Sequence, residues 1–290
     1  MKLGLQIPDF TWPNGPAKLG AELAEVAQAA DEAGFEYLAV MDHFFQIQSI
    51  GPAEHDMLEA YTTLGYLAAH TKRAKLLTVI TGVIYRQPGV LAKAVTTLDV
   101  LSGGRAILGI GAGWNEEESR GLGFPFPPTK ERFEMLEEAL RYIHQMFSDN
   151  DGPFEGDYIT AERLMNVPAP LSKPHPPIMV GGSGEKKTLR FVAKYGDACN
   201  IFNGPELEHK LEVLRGHCEA EGRDYDEISK TVYHPLDIGA NGEKTEELMT
   251  ELRRLAGLGV DAAIGYCPTV PDTKPFEIFA KDVIPAAAEL

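Results

Sequence analysis

The sequence predicts an α/β protein of the (β/α)8 TIM-like barrel type, and three observations carry that expectation. Eight short apolar runs alternate with segments of helical periodicity from Lys2 to the last residues, with no compositional break between them. The runs are rich in Val, Ile and Leu and lack strict polar alternation, the pattern of parallel strands buried on both faces. Several open at their C-terminal ends into glycine or polar residues, on the side where α/β proteins place ligands. The clearest unit is KLLTVITGVIYRQP from Lys75 and RAILGIGAGWNEEE from Arg105, which frame a helical pattern from Pro88 to Leu101.

Taken in order, KLGLQIP over residues 2–8 is the first strand, and Ala17 to Ala33 is a helix closed by Gly34 as C-cap. Phe10 and Trp12 follow the strand, where an aromatic pair either roofs a planar ligand or covers the end of a barrel. The second strand, YLAVMDH, ends at Asp42 and His43, a titratable pair where barrels keep their chemistry. After a helix over residues 58–71, the third strand passes through Thr81, Gly82 and Val83 to Arg86, which either holds an anion or pairs with a carboxylate. The fourth strand runs into Gly111-Ala112-Gly113-Trp114-Asn115, followed by a loop and an amphipathic helix from Lys130 to Phe147.

Between the fourth and fifth strands the rhythm breaks. DGPFEGDYI suggests a small hairpin, and the prolines of PAPLSKPHPP forbid helix interior, so Asp149 to Pro177 is an excursion. Alternation resumes with the strands IMVGG, DACNIFN, SKTVYHPLDIG and AAIGYC. The intervening helices are expected over 185–195, 206–221 and 243–258, with a terminal one over 275–289. Unbroken alternation to eight strands favours one closed barrel domain spanning 1–290 over an open doubly wound sheet.

A formal net charge of −16 argues against nucleic acid or an anionic membrane surface as partner. There is no apolar run of membrane-spanning length and no signal-peptide layout, so a cytoplasmic protein is expected. Cys199, Cys218 and Cys267 lie far apart and read as reduced, buried thiols. His43, His70, His175 and His234 fall on scattered elements, so no metal site is expected.

Two glycine-rich strand ends remain. GIGAGWN is spaced GxGxG at the fourth strand, unlike the GxGxxG of a first βαβ unit, so a nicotinamide cofactor is disfavoured. Its glycines either let a flat or phosphorylated ligand approach the backbone or make room for barrel packing. GGSGEKKTL places Gly181, Gly182, Ser183 and Gly184 before a helix start, where free N–H groups and a hydroxyl suit a phosphate. Lys186, Lys187 and Arg190 follow, as further ligands or as a solvated face.

Together, Asp42-His43-Phe44, the TGVIYRQPGVLAKAVTTLDVLSGGR run, GIGAGWN and the FEGDYI and PAPLSKPHPPIMVGG segments resemble the bacterial luciferase-like family. Within it they resemble the branch that uses the deazaflavin coenzyme F420. The resemblance implies a barrel holding F420, or FMN in the alternative branch, at the strands' carboxyl ends, in a homodimer. It implies a non-prolyl cis peptide backing the ring at the third strand, expected at Gly82-Val83 beside Thr81. It further implies that Asp42 touches the ring or tail, that Gly111, Ala112, Gly113, Trp114 and Asn115 pass close to it, and that Gly181 to Gly184 hold its phosphate.

The implied activity is hydride transfer between the deazaflavin and a small organic substrate, with His43 as the group that manages the proton. An FMN-dependent monooxygenase and a non-catalytic flavin carrier are the alternatives. Trp114 stands where the sugar-phosphate dehydrogenase branch carries an acid, which disfavours glucose 6-phosphate and favours a flatter, less polar substrate. The loops over 44–57, 119–130 and 149–177 would shape its pocket.

Overall fold

The computed structural model describes residues 1–290. The chain runs through β1 (Lys2–Ile7), α1 (Pro16–Ala33), β2 (Tyr37–Val40), α2 (Ala60–His70), β3 (Lys75–Thr78) and β4 (Thr81–Gly82). It continues with α3 (Pro88–Ser102), β5 (Ala106–Gly111), α4 (Glu116–Gly121), α5 (Thr129–Phe147) and the antiparallel hairpin of β6 (Phe154–Glu155) and β7 (Thr160–Ala161). Then come β8 (Ile178–Gly181), α6 (Thr188–Tyr195), β9 (Ala198–Phe202), α7 (Leu207–Glu221) and β10 (Ser229–Tyr233). Finally α8 (Thr245–Gly257), β11 (Ala262–Gly265), α9 (Pro275–Ile278) and α10 (Ile284–Ala288) complete it.

All barrel ladders are parallel, and they close. β1 pairs with β2 and β11, the order continues β10, β9, β8 and β5, and β5 pairs back with β3, which adjoins β2. β3 and β4 form one interrupted stave against β5, so eleven strands less the hairpin make eight staves. Side chains alternate across the wall as the period of two requires. Leu3, Leu5 and Ile7 of β1 join the large core beneath the helices, whereas Tyr37, Leu77, Ile107, Met179 and Ile264 fill the barrel's inside. No helix is long and apolar enough to cross a membrane.

The interior is narrow where glycines stand. A Cβ on Gly109 would lie 2.0 Å from the Thr78 carbonyl oxygen, and one on Gly181 would lie 2.4 Å from Cγ1 of Ile80. These glycines therefore make room for the neighbouring stave and for the Ile80 side chain, which also lies 3.3 Å from a Cβ built on Gly111.

Ile80 belongs to the interruption between β3 and β4, and there the expectation needs correction. The non-prolyl cis peptide lies between Val79 and Ile80, three residues before the expected Gly82-Val83. Gly82 is instead laddered with Gly111, and the following Val83 N–H donates to the Gly111 carbonyl at 2.9 Å. The stave breaks instead at Val79 and Ile80, where Val79 and Ile80 pack against the barrel's inner cluster.

Other boundaries also move. β2 ends at Val40, leaving Asp42 and His43 on the loop beyond it. The expected loop after β5 contains α4, and α6 begins at Thr188, three residues after its expected start. The terminal helix is interrupted by a π-helical stretch over Phe279–Val283, just before Pro285, which has no N–H to continue a regular ladder. Phe10 and Trp12 are both buried in the outer core, the covering role rather than a ligand roof.

Candidate active site

At the carboxyl ends of the staves the chain encloses a cleft of about 1020 Å³. Its floor is built from Gln6 of β1, Val79, Ile80, Thr81 and Gly82 of the interrupted stave, and the Gly111 to Gly113 turn. His43 and Trp114 stand on one wall, and Phe202, Tyr233 and Tyr266 on another. Thr129, Arg132 and Phe133 of α5 meet Gly181, Gly182 and Thr188 at a further edge. The volume and the mainly apolar, aromatic lining suit a planar cofactor together with a small substrate.

His43 is held from behind. Its Nδ1 lies 2.5 Å from Oε1 of Glu118, a carboxylate with no exposed surface. The other Glu118 oxygen accepts from the backbone N–H groups of Phe44 at 2.7 Å and Phe45 at 3.2 Å, and the Tyr85 hydroxyl donates to Oε1. Burial raises the Glu118 pKa, but His43, Tyr85 and the Phe44 N–H outweigh it and leave the carboxyl below its usual range. An ionised Glu118 accepts a hydrogen bond from the Nδ1–H, which fixes the imidazole in orientation and tautomer and leaves Nε2 without a protein partner. The indole of Trp114, itself 62% exposed, meets the imidazole edge-on at 5.4 Å between centroids.

Asp42 faces away from this arrangement. The Arg86 guanidinium grips it bidentately at 2.6 and 2.9 Å and also bonds Glu59. Burial opposes the charge on Arg86, but its hydrogen bonds to Asp42 and Glu59 raise its pKa above the ordinary value. Of the two sequence readings of Arg86, the paired one is realised, and Asp42 is sealed under the cleft at 2% exposure. The pair supports the interrupted stave, since Arg86 lies over the Tyr61 ring and the Tyr61 hydroxyl bonds Thr81 at 3.0 Å.

His43, Thr81, Gly82, the Gly111-Ala112-Gly113-Trp114 turn, Gly181 and Gly182 thus converge on one cleft. Val83 does not: it is buried in the outer core. Asn115 is also buried and starts α4, its carbonyl accepting from Ser119 Oγ at 2.7 Å. Ser183 and Gly184 continue the turn at the cleft edge toward α6, with a Gly184 Cβ position 2.9 Å from Thr188 Oγ1. Lys187 rests on the Phe133 ring, and Arg190 bonds Glu137 on α5.

Sequence reasoning missed Glu118, Tyr85, Gln6 and Arg132. A helical reading of the EEE run over 116–118 would turn one glutamate inward, but only the closed barrel says that it meets residue 43. Seven buried side-chain polar atoms lack any partner, and Gln6 Oε1 and Arg132 Nε are two of them on this cleft, with Ser183 Oγ a third beside it. Unsatisfied polar atoms on the cleft and beside its glycine turn fit a flat ligand with polar edges and an anionic group.

An eight-stave barrel with this cleft at its carboxyl rim defines a ligand-binding α/β barrel. The chain belongs to the luciferase-like monooxygenase family, which it matches over residues 1–279. It is 34% identical over 220 residues to an F420-dependent glucose-6-phosphate dehydrogenase of Kineococcus radiotolerans, covering 73% of this chain and 62% of that one. The match thus spans less than two thirds of that relative's length. Solved structures that share the fold include a riboflavin lyase with modified FMN and riboflavin (TM-score 0.82, 14% identity, 99% and 91% of the two chains) and an F420-dependent secondary alcohol dehydrogenase with an F420-acetone adduct (TM-score 0.81, 19% identity, 99% and 98%).

Proposed function

We propose that this chain is a coenzyme F420-dependent oxidoreductase that transfers a hydride between the deazaflavin and an uncharged alcohol or carbonyl substrate. The single observation that carries the catalytic part is the His43–Glu118 pair, a polarised imidazole presented to a glycine-floored cleft. The F420-dependent relatives and fold neighbours support the choice of cofactor.

The deazaflavin, when bound, supplies a ring carbon that accepts or gives the hydride. The protein does the rest. Val79, Ile80 and Gly82 back one face of the cleft, Gln6 Oε1 offers an acceptor to a ring edge, and the turn from Gly181 to Gly184 offers N–H groups to a phosphate. His43 takes or returns the proton on the substrate oxygen through Nε2, and Glu118 stabilises the imidazolium that results. Trp114, Phe202, Tyr233 and Tyr266 offer flat and apolar surface to a substrate of the same kind. Arg132 is the only Lys or Arg on the cleft, which leaves no cation pair for a sugar phosphate as substrate.

His43→Ala is expected to lower kcat by roughly 10²- to 10⁴-fold while cofactor affinity changes little. Unchanged turnover would remove His43 from the mechanism. Titration with FMN and F420 tests the cofactor: tight FMN binding without F420 binding would favour an FMN-dependent monooxygenase instead.

We also propose a homodimer. Val90 and Leu101 are exposed on one face of α3, eleven residues apart, and Val167 and Leu171 of the excursion are exposed beside it. Such an apolar face suits burial against a second copy.

A further inference from the structure

Glu118 is a buried anion with no Lys or Arg partner, whereas Asp42, the residue before His43, is gripped by Arg86. Its charge is met instead by four donors. His43 Nδ1 and the Tyr85 hydroxyl share Oε1, and the Phe44 and Phe45 N–H groups share Oε2. Three of these are dipoles of fixed charge, and only the imidazole can become a cation. In a site of low dielectric, the less the dipoles offset the carboxylate, the more strongly it draws a second proton onto the imidazole.

Of the three dipoles, Tyr85 alone shares an oxygen with His43 and alone belongs to a side chain. Its ring is placed by packing rather than by its hydroxyl. A Cβ on Gly82 would lie 2.9 Å from Tyr85 Cε2, and the Phe44 and Phe124 rings stand 5.6 and 5.8 Å away between centroids. Burial and the bond to Glu118 push the hydroxyl above its ordinary range, so it stays protonated and keeps donating. We propose that Tyr85 is a positioning residue that sets the proton affinity of His43 through Glu118: its hydroxyl takes up part of the charge on Oε1, so that the imidazole keeps its hydrogen bond yet can return a proton from Nε2. The inference rests on the reading of His43 as the proton-handling group. The other charges packed here are Asp42, Glu59 and Arg86, paired with one another, and Glu116 and Arg120, paired on the surface of α4 beside the exposed Glu117. None of them bonds Glu118, and Tyr85→Phe leaves all of them in place.

The test titrates the full chain alone, with neither cofactor nor substrate, so that its outcome is separate from that of the hydride-transfer reading. Histidine ring signals of protein carrying isotope-labelled histidine are followed by NMR against pH, and His43→Gln identifies the signal of His43. Tyr85→Phe, which keeps the ring packed on Gly82, should raise the midpoint of the His43 titration by roughly half a pH unit to one unit relative to wild type. Glu118→Gln should lower it. In the Glu118→Gln background Tyr85→Phe should no longer move the midpoint, because the carboxylate through which it acts is gone. A midpoint that stays or falls in Tyr85→Phe, or that rises equally with and without Glu118, would reduce Tyr85 to wall packing and overturn the inference. Midpoints that move as stated while His43→Ala leaves turnover unchanged would uphold the tuning by Tyr85 and overturn the proton role of His43.

Discussion

The sequence marks Glu118 only as one acid of a helical EEE run, yet it organises the wall of the cleft. One carboxylate fixes the His43 ring, the Tyr85 hydroxyl and two backbone N–H groups after β2. Glu118→Gln keeps the shape but presents an amide where the imidazolium needs a negative charge, so kcat is expected to fall about 10- to 100-fold, with its pH profile displaced. Steady-state rates against pH check this, and an unmoved profile would reduce Glu118 to a structural role. Ile80 and Gly181 form a second residue-scale pair. Gly181→Ala must displace Ile80, whereas Ile80→Ala alone opens a cavity costing about 2–4 kcal/mol. The double variant is expected to be more stable than the sum of the two losses, as a urea-unfolding cycle would show.

At the scale of elements, carboxylates do much of the fastening. Asp99 of α3 accepts from the N–H groups of Leu171 and Ser172, and Glu138 of α5 accepts from those of Asp157, Tyr158 and Ile159. The hairpin turn and the C-terminal part of the excursion are thereby tied to helices, which gives a proline-rich segment with little secondary structure a defined path. Asp31 does the same at the entry to β3, accepting from Lys72, Arg73 and Ala74. Burial raises its pKa, but these N–H groups outweigh it and the net shift is downward. A depressed carboxyl stabilises the fold above its unfolded pKa, near ~3.9, and loses that contribution as pH falls through the lower folded value. Asp31→Ala is therefore expected to cost about 2–3 kcal/mol at pH 7, and the gap to wild type to close below about pH 4 in chemical denaturation. A gap that held constant with pH would refute that account.

For the whole molecule, the charge of −16 is not spread over solvent alone, because several acids are spent on buried backbone contacts. The exposed α3 face, by contrast, is apolar at Val90 and Leu101. Sedimentation equilibrium is expected to give twice the chain mass, and Leu101→Glu, set at 73% exposure, to shift the balance to monomer without lowering the melting temperature. A wild-type monomer at micromolar concentration would remove the proposed dimer.

The alternation of eight apolar runs with helices, the glycines at strand ends and the excursion before Ile178 were legible because each is a near-neighbour pattern, set by the period of strand or helix. The position of the cis peptide was not, and neither was the packing of Ile80 against Gly111 and Gly181, which come from other staves. The same holds for Glu118 meeting His43 across 75 residues and for Arg132 arriving unpaired at the cleft edge. Local periodicity determined that a barrel would form and which end would hold ligands. Only closure of that barrel, by bringing distant staves and loops into contact in one register, decided which side chains share a charge, a proton or an empty acceptor.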